Sequence, residues 1–168
     1  MNVMRCCRVL VLLSAQAVCV AAFAQAIASQ ATATGPVTGL VPDHATLSVA
    51  GIEREAEWYE RVLGFKPFSK SEANPDFRNW HLVIPGYRID LVQFKGSKRP
   101  PAQESPYLQQ GWTHVVFHVE DVSLALRQLQ ALNVDVAVSR DNKTGVPIQL
   151  LIHDPEGNEV EIRRNLLV

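Results

Sequence analysis

The stretch HATLSV at residues 44–49 returns 70 positions later as HVVFHV at residues 114–119, and this recurrence decides the fold. In both stretches every second residue is apolar, which predicts a strand with one buried face. Each stretch precedes a helical pattern, over residues 52–63 in the first copy and 122–132 in the second. The chain therefore contains an internal repeat.

Further strands are predicted after each helix. They cover residues 80–84 and 87–94 in the first half and 134–138, 148–152 and 160–163 in the second. Pro85-Gly86 and the DPEG sequence at 154–157 supply turns between neighbouring strands. The sequence thus predicts an α+β fold of two tandem βαβββ modules, about 43–95 and 112–164, that share one core.

Composition and charge exclude several classes of protein. The chain has 168 residues, 16 Lys plus Arg against 17 Asp plus Glu, and 47% hydrophobic residues. A net charge of −1 without a basic cluster argues against a nucleic-acid partner. Apolar runs of membrane-spanning length are absent beyond the N-terminus, which excludes a multispanning membrane protein.

The N-terminus has the pattern of a secretory signal peptide. Arg5 and Arg8 precede an apolar stretch, and Ala22 and Ala24 have the spacing of a cleavage site. We expect cleavage after Ala24, a flexible linker over 25–41, and a periplasmic or secreted protein with no membrane segment left. An uncleaved membrane anchor is the alternative. All three cysteines lie before residue 25, so the mature chain would have no thiolate and a net charge of −3.

Two histidines and two carboxylates recur at matching places in the halves. His44 and His114 lie 70 positions apart, and Asp90 and Glu161, in the last strand of each half, lie 71 apart. Strand alternation places all four on the face opposite the helix-packing side. Imidazole and carboxylate groups converging on one point form a site for a divalent metal, and Fe, Mn, Ni, Co and Zn all fit such donors.

Four motifs carry a resemblance to a known family. They are HATLSV at 44–49, WYERVLGF at 58–65, HVVFHVEDV at 114–122 and DPEGNEVEI at 154–162. Together they resemble the vicinal oxygen chelate (VOC) superfamily of glyoxalase I, bleomycin-resistance proteins, fosfomycin-resistance transferases and extradiol dioxygenases. The resemblance covers about residues 43–164, within a VOC domain of 42–165, and implies a cup-shaped mixed sheet around one metal ion.

The resemblance also implies roles for the recurring residues. His44, His114 and Glu161 match metal ligands, and Asp90 falls where glyoxalase-like members have a longer fourth ligand. A four-ligand set implies a glyoxalase- or epimerase-like lyase or isomerase, in which Asp90 or Glu161 moves a proton. A set without Asp90 implies an extradiol-dioxygenase-like enzyme. His118, on the face of His114, and Arg88 are candidate substrate-binding residues.

The partners implied are a small molecule with two neighbouring oxygens and, by analogy with other small members, a second copy of the chain in a homodimer. The alternative is a metal-free binding protein of the bleomycin-resistance type, which uses the cup without chemistry. The presence of three matching ligand positions and a close substitute at the fourth favours the metal-dependent enzyme.

Overall fold

The computed structural model describes residues 42–98 and 112–164. The chain divides into residues 1–42 and a compact unit, Asp43–Val168. The predicted signal peptide and linker lie outside the described residues, as does most of the segment between the modules. Within the described part of the chain, none of the helices has the length and apolar character needed to cross a bilayer.

Each half contains one helix and four strands. The first module consists of β1 (His44–Ser48), α1 (Ile52–Leu63), β2 (Lys66–Asn74), β3 (Phe77–Ile84) and β4 (Tyr87–Phe94). The second consists of β5 (His114–Val119), α2 (Val122–Ala131), β6 (Ala137–Arg140), β7 (Pro147–His153) and β8 (Glu159–Arg164). The predicted order βαβββ is therefore confirmed in both halves.

The two four-stranded sheets have the same topology. The strand order is β1-β4-β3-β2 in one and β5-β8-β7-β6 in the other. In each sheet the first and last strands of the module pair in parallel, whereas the remaining pairs are antiparallel. The sheets are thus mixed, as predicted, and the strands that carry the histidines lie beside those that carry Asp90 and Glu161.

The sequence pattern missed one strand and misplaced another. β2 was not predicted, because its sequence KPFSKSEAN is polar and has a proline at its second position. β6 lies three residues beyond its predicted start at 134, since the chain first turns after α2. Pairing with β3 and β7 respectively, rather than local apolar alternation, makes these segments strands.

Both helices end in a left-handed residue. Gly64 follows α1 with φ 76°, and its amide donates to the carbonyl oxygen of Glu60. Asn133 follows α2 with φ 55° and is the one described residue other than glycine with positive φ. Asparagine tolerates this conformation better than most residues, so the predicted helix end at Asn133 is confirmed.

The two modules contact each other through aromatic rings and a turn. The Phe117 ring of β5 lies 6.0 Å from that of Phe65 and 5.8 Å from that of Tyr87, both in edge contact. The Glu156 carboxylate, in the turn before β8, accepts hydrogen bonds from the amides of Ala50 and Gly51 at 2.7 and 2.9 Å. This turn of the second module therefore holds the start of α1 in the first.

Candidate metal centre

The first predicted pair of donors is assembled by β1 and β4. Their parallel register places Thr46 beside Asp90 and His44 two residues earlier, beside Arg88. His44 Nε2 lies 3.5 Å from Asp90 Oδ2. Asp90 is only 6% exposed, and burying a carboxylate requires compensating partners.

The second pair repeats this arrangement between β5 and β8. Val116 lies beside Glu161, and His114 lies two residues earlier, beside Glu159. His114 Nε2 lies 3.3 Å from Glu161 Oε2, and its Nδ1 lies 2.9 Å from Thr113 Oγ1. Glu161 is 4% exposed, so each module buries a carboxylate against an imidazole.

An arginine contacts the other oxygen of each carboxylate. Arg88 Nε lies 3.0 Å from Asp90 Oδ1, and Arg163 Nη1 lies 3.3 Å from Glu161 Oε1. Neither carboxylate oxygen has a hydrogen bond of good geometry, so these contacts are ionic rather than directional. Each carboxylate thus has one oxygen toward a cation and one toward an imidazole.

The donor chemistry of both pairs suits a divalent ion. Two neighbouring ligands that bind one ion at about 2.1 Å lie about 3.0 to 3.4 Å apart, close to the imidazole–carboxylate distances of both pairs. The residues present therefore fit the metal that the family resemblance implies. As they stand, residues 42–98 and 112–164 contain no group of three or more His, Cys, Asp or Glu side chains placed to hold a metal. Binding of one ion by both pairs stays a prediction.

The two predicted substrate-binding residues have different surroundings. Arg88 Nη2 donates to His44 Nδ1 at 2.6 Å and to Asp43 Oδ2 at 3.3 Å. Arg88 is therefore already engaged by the first pair. His118 lies beside Arg163 in the β5–β8 register and is exposed, which leaves its ring open to a ligand.

His81 is a site residue that sequence reasoning missed. It lies on β3 directly opposite Asp90, and its Nε2 is 3.6 Å from Asp90 Oδ2. The sequence signal that could have found His81 is the alternation of β3, which places every second residue on one face. Choosing between the two faces required the β3–β4 register, which the sequence pattern did not give.

A buried carboxyl cluster joins the modules away from these pairs. Glu55 of α1 is fully buried. The pKa of Glu55 is raised to about 8, chiefly by burial and in part by the nearby charges of Asp154 and Glu156, while Arg54 acts in the opposite direction. Asp154 accepts hydrogen bonds from the amides of Glu156 and Asn158 at 3.0 and 2.7 Å. Glu55 is therefore a neutral acid at neutral pH, beside a carboxylate that already has donors.

The comparisons with known proteins agree with this fold. A model of the Glyoxalase/Bleomycin resistance protein/Dioxygenase superfamily matches residues 41–162. The chain belongs to this superfamily, so the resemblance found in the four motifs is confirmed.

Individual relatives are distant. A protein of Arabidopsis thaliana named "Glyoxylase I 4" is 23% identical over 121 residues, which are 71% of this chain and 68% of that protein. The structure of a glyoxalase family protein from Enterococcus faecalis is 16% identical with a TM-score of 0.61 over 75% of this chain and 98% of that one. The trypanothione-dependent glyoxalase I of Leishmania major is 19% identical, with a TM-score of 0.54, over 72% of this chain and 84% of that one. At these identities the structures establish the fold alone.

Proposed function

We propose that this protein is a divalent-metal-dependent enzyme that acts on a small molecule with two neighbouring oxygens. The observation that carries the proposal is the repeated pair, in which an imidazole Nε2 lies 3.3 to 3.5 Å from a buried carboxylate oxygen in each module. His44, His114 and Glu161 would bind the ion, with Asp90 as the fourth ligand. Membership of the superfamily supports the reading.

The position of Asp90 favours a lyase or isomerase of the glyoxalase or epimerase type over a dioxygenase. Asp90 stands to His44 as Glu161 stands to His114, although its side chain is one methylene shorter. The shorter carboxylate is the more loosely held ligand, which suits it to accept a proton from a carbon next to a carbonyl and return it. A bound divalent ion would supply Lewis-acid stabilisation of the oxygen that becomes negative.

Other residues of this chain would position the substrate. Arg88 stays beside Asp90 and offers N–H groups to a substrate oxygen. The exposed ring of His118 offers a further hydrogen-bonding group. Buried Glu161 would hold the ion from the second module and so help to orient the substrate.

Metal analysis tests this proposal. The protein is purified without a metal-binding tag, and the metal content of the wild type is compared with that of His114→Ala. We expect about one equivalent of Fe, Mn, Ni, Co or Zn per chain in the wild type and loss in the variant. His153→Ala is the matched control, because His153 is an exposed imidazole at the edge of the same sheet face. A wild type that stays metal-free after reloading with each ion contradicts the proposal.

A metal-free binding protein is the second candidate. The observation in its favour is that an arginine compensates each buried carboxylate without any metal. In that case the cup would bind its ligand through Arg88, Arg163 and the imidazoles. Binding of small oxygen-rich ligands to the metal-free wild type, unchanged by a chelator, distinguishes this function from the metal-dependent one.

We also propose that the protein is exported. The support is the sequence of the first 24 residues, with Arg5 and Arg8 before an apolar stretch and Ala22 and Ala24 after it. N-terminal sequencing of the protein recovered from the cell envelope and medium tests this proposal. A new N-terminus near Gln25 is expected, and an intact protein confined to the cytoplasmic fraction would contradict it.

A further inference from the structure

A second imidazole in the first module faces the same carboxylate oxygen as His44. His81 Nε2 lies 3.6 Å from Asp90 Oδ2, and His44 Nε2 lies 3.5 Å from that oxygen. The three side chains come from three neighbouring strands, β3, β4 and β1. Two imidazole nitrogens of the first module thus face one carboxylate oxygen, although the three groups are not yet placed as ligands of one ion.

Both imidazoles have an oxygen at their other nitrogen. Ser69 Oγ lies 2.7 Å from His81 Nδ1, and Asp43 Oδ2 lies 2.8 Å from His44 Nδ1. When Ser69 Oγ accepts the Nδ1 proton of His81, the Nε2 of His81 is left with its lone pair toward Asp90. Metal-binding histidines typically have their second nitrogen held in this way, which fixes the ring and its tautomer.

The distances suit a shared cation better than direct hydrogen bonds. Hydrogen bonds from N–H to oxygen are usually about 2.7 to 3.2 Å long, and both Nε2–Oδ2 distances exceed this range. Neighbouring ligands of one ion lie about 3.0 to 3.4 Å apart. The two Nε2–Oδ2 distances of 3.5 and 3.6 Å are therefore only slightly longer than the distance between neighbouring ligands, and small side-chain rotations would close the difference.

The second module shows that the fold does not require a histidine here. Leu151 of β7 lies opposite Glu161, at the place that His81 of β3 occupies opposite Asp90. The same frame thus accepts an apolar residue at this position. His81 accordingly adds a donor that the repeat alone does not explain.

Resting on the metal-dependent function above, we propose that His81 is a further metal ligand, contributed by the first module beside His44 and Asp90. The ion would then have three imidazole ligands, from His44, His81 and His114. His81 would give the first module a second nitrogen ligand, which would leave the short side chain of Asp90 available to hold or move a proton. Asp90 would otherwise have to serve as both ligand and base.

The test uses the full chain loaded with cobalt(II) alone. X-ray absorption counts the imidazole ligands, and competition with a chelator measures the affinity. We expect three imidazoles in the wild type, and two in His81→Leu with at least a ~10-fold weaker affinity. This substitution copies the residue of the second module, and His81→Gln provides a second variant that keeps a polar side chain. His153→Leu is the control and should match the wild type in both measurements.

The outcomes separate this inference from the proposed function. A wild-type site with two imidazoles overturns the role of His81 whether or not the variants fold. Equal affinity in the wild type and His81→Leu, with loss in His114→Ala, also overturns it and leaves the proposed function standing. A wild type that binds no cobalt overturns both. Ser69→Ala should weaken cobalt binding by less than His81→Leu, because it removes the partner of the ligand and not the ligand itself.

Discussion

The two modules keep the same imidazole–carboxylate pair but surround it differently. Arg88 lies two residues before Asp90, whereas Arg163 lies two residues after Glu161. The residue opposite the carboxylate is a histidine in the first module and Leu151 in the second. The repeated strand pairing therefore determines where the imidazole–carboxylate pairs lie. The residues next to each pair differ between the modules and give it different chemical surroundings.

Removing one carboxylate at a time tests most directly how much each module contributes to metal binding. We expect Glu161→Ala to weaken metal binding by about 100-fold or more, because Glu161 is the proposed carboxylate ligand with the longer side chain. Asp90→Ala should weaken it by about 10-fold, because Asp90 is proposed as the shorter and more loosely held ligand. Metal affinity measured by competition with a chelator compares the two. Equal losses would show that the modules contribute equally.

Matched apolar residues test whether the modules share one core. Leu82 of β3 pairs with Ile89, and Ile152 of β7 pairs with Val160, so the two occupy corresponding places, and both are fully buried. Replacing either by alanine should lower the free energy of unfolding by about 2 to 5 kcal/mol. Denaturant unfolding followed by two probes gives this value. Separate transitions for the two modules in either variant would contradict a shared core.

The junction between the modules should make stability depend on pH. The unfolded chain releases the Glu55 proton near pH 4.5, while the folded chain keeps it until about pH 8. Between these values the native state binds one more proton than the unfolded state, so stability falls as pH rises. Below pH 4.5 Glu55 is protonated in both the folded and the unfolded state. The stabilisation that it contributes is then at its full value and no longer changes with pH.

Glu55→Gln tests the origin of this slope. Glutamine has the shape of the neutral acid and does not titrate. The free energy of unfolding of the variant should therefore lose the pH dependence that Glu55 causes between pH 4.5 and 8. Denaturant unfolding at a series of pH values measures it, with Glu60→Gln as the control on the exposed side of the same helix. A wild-type slope that survives in Glu55→Gln would place its origin in another group.

Much of this fold could be predicted from the sequence, because half-buried strands and helices carry a regular apolar pattern and this pattern recurs in both halves. The strands at His44 and His114 and both helices have clear periods, and their ends carry Gly64 and Asn133. β2 lacks such a period, since it is an edge strand that depends on pairing with β3. Local patterns cannot show pairing partners that lie elsewhere in the chain.

The candidate site was predictable to the same extent. The offset of 70 and 71 residues and the strand alternation sufficed to group His44 with Asp90 and His114 with Glu161. His81 could not be assigned, because its relation to Asp90 arises only from the β3–β4 register. Glu55 was missed for another reason, since glutamate in a helix is usually exposed and burial of this one depends on the turn of the other module.

The smallest expected effect concerns the ends of the two helices, where one module has Gly64 and the other Asn133. Asn133→Gly should change the free energy of unfolding by less than about 1 kcal/mol, because both residues adopt the left-handed conformation. Asn133→Val should cost about 1 to 3 kcal/mol, since a β-branched side chain is strained at φ 55°. Thermal unfolding measures both, with Leu132→Val, at an exposed neighbour with φ −88°, as control. An equal loss at both positions would show that packing, and not the backbone conformation, decides this helix end.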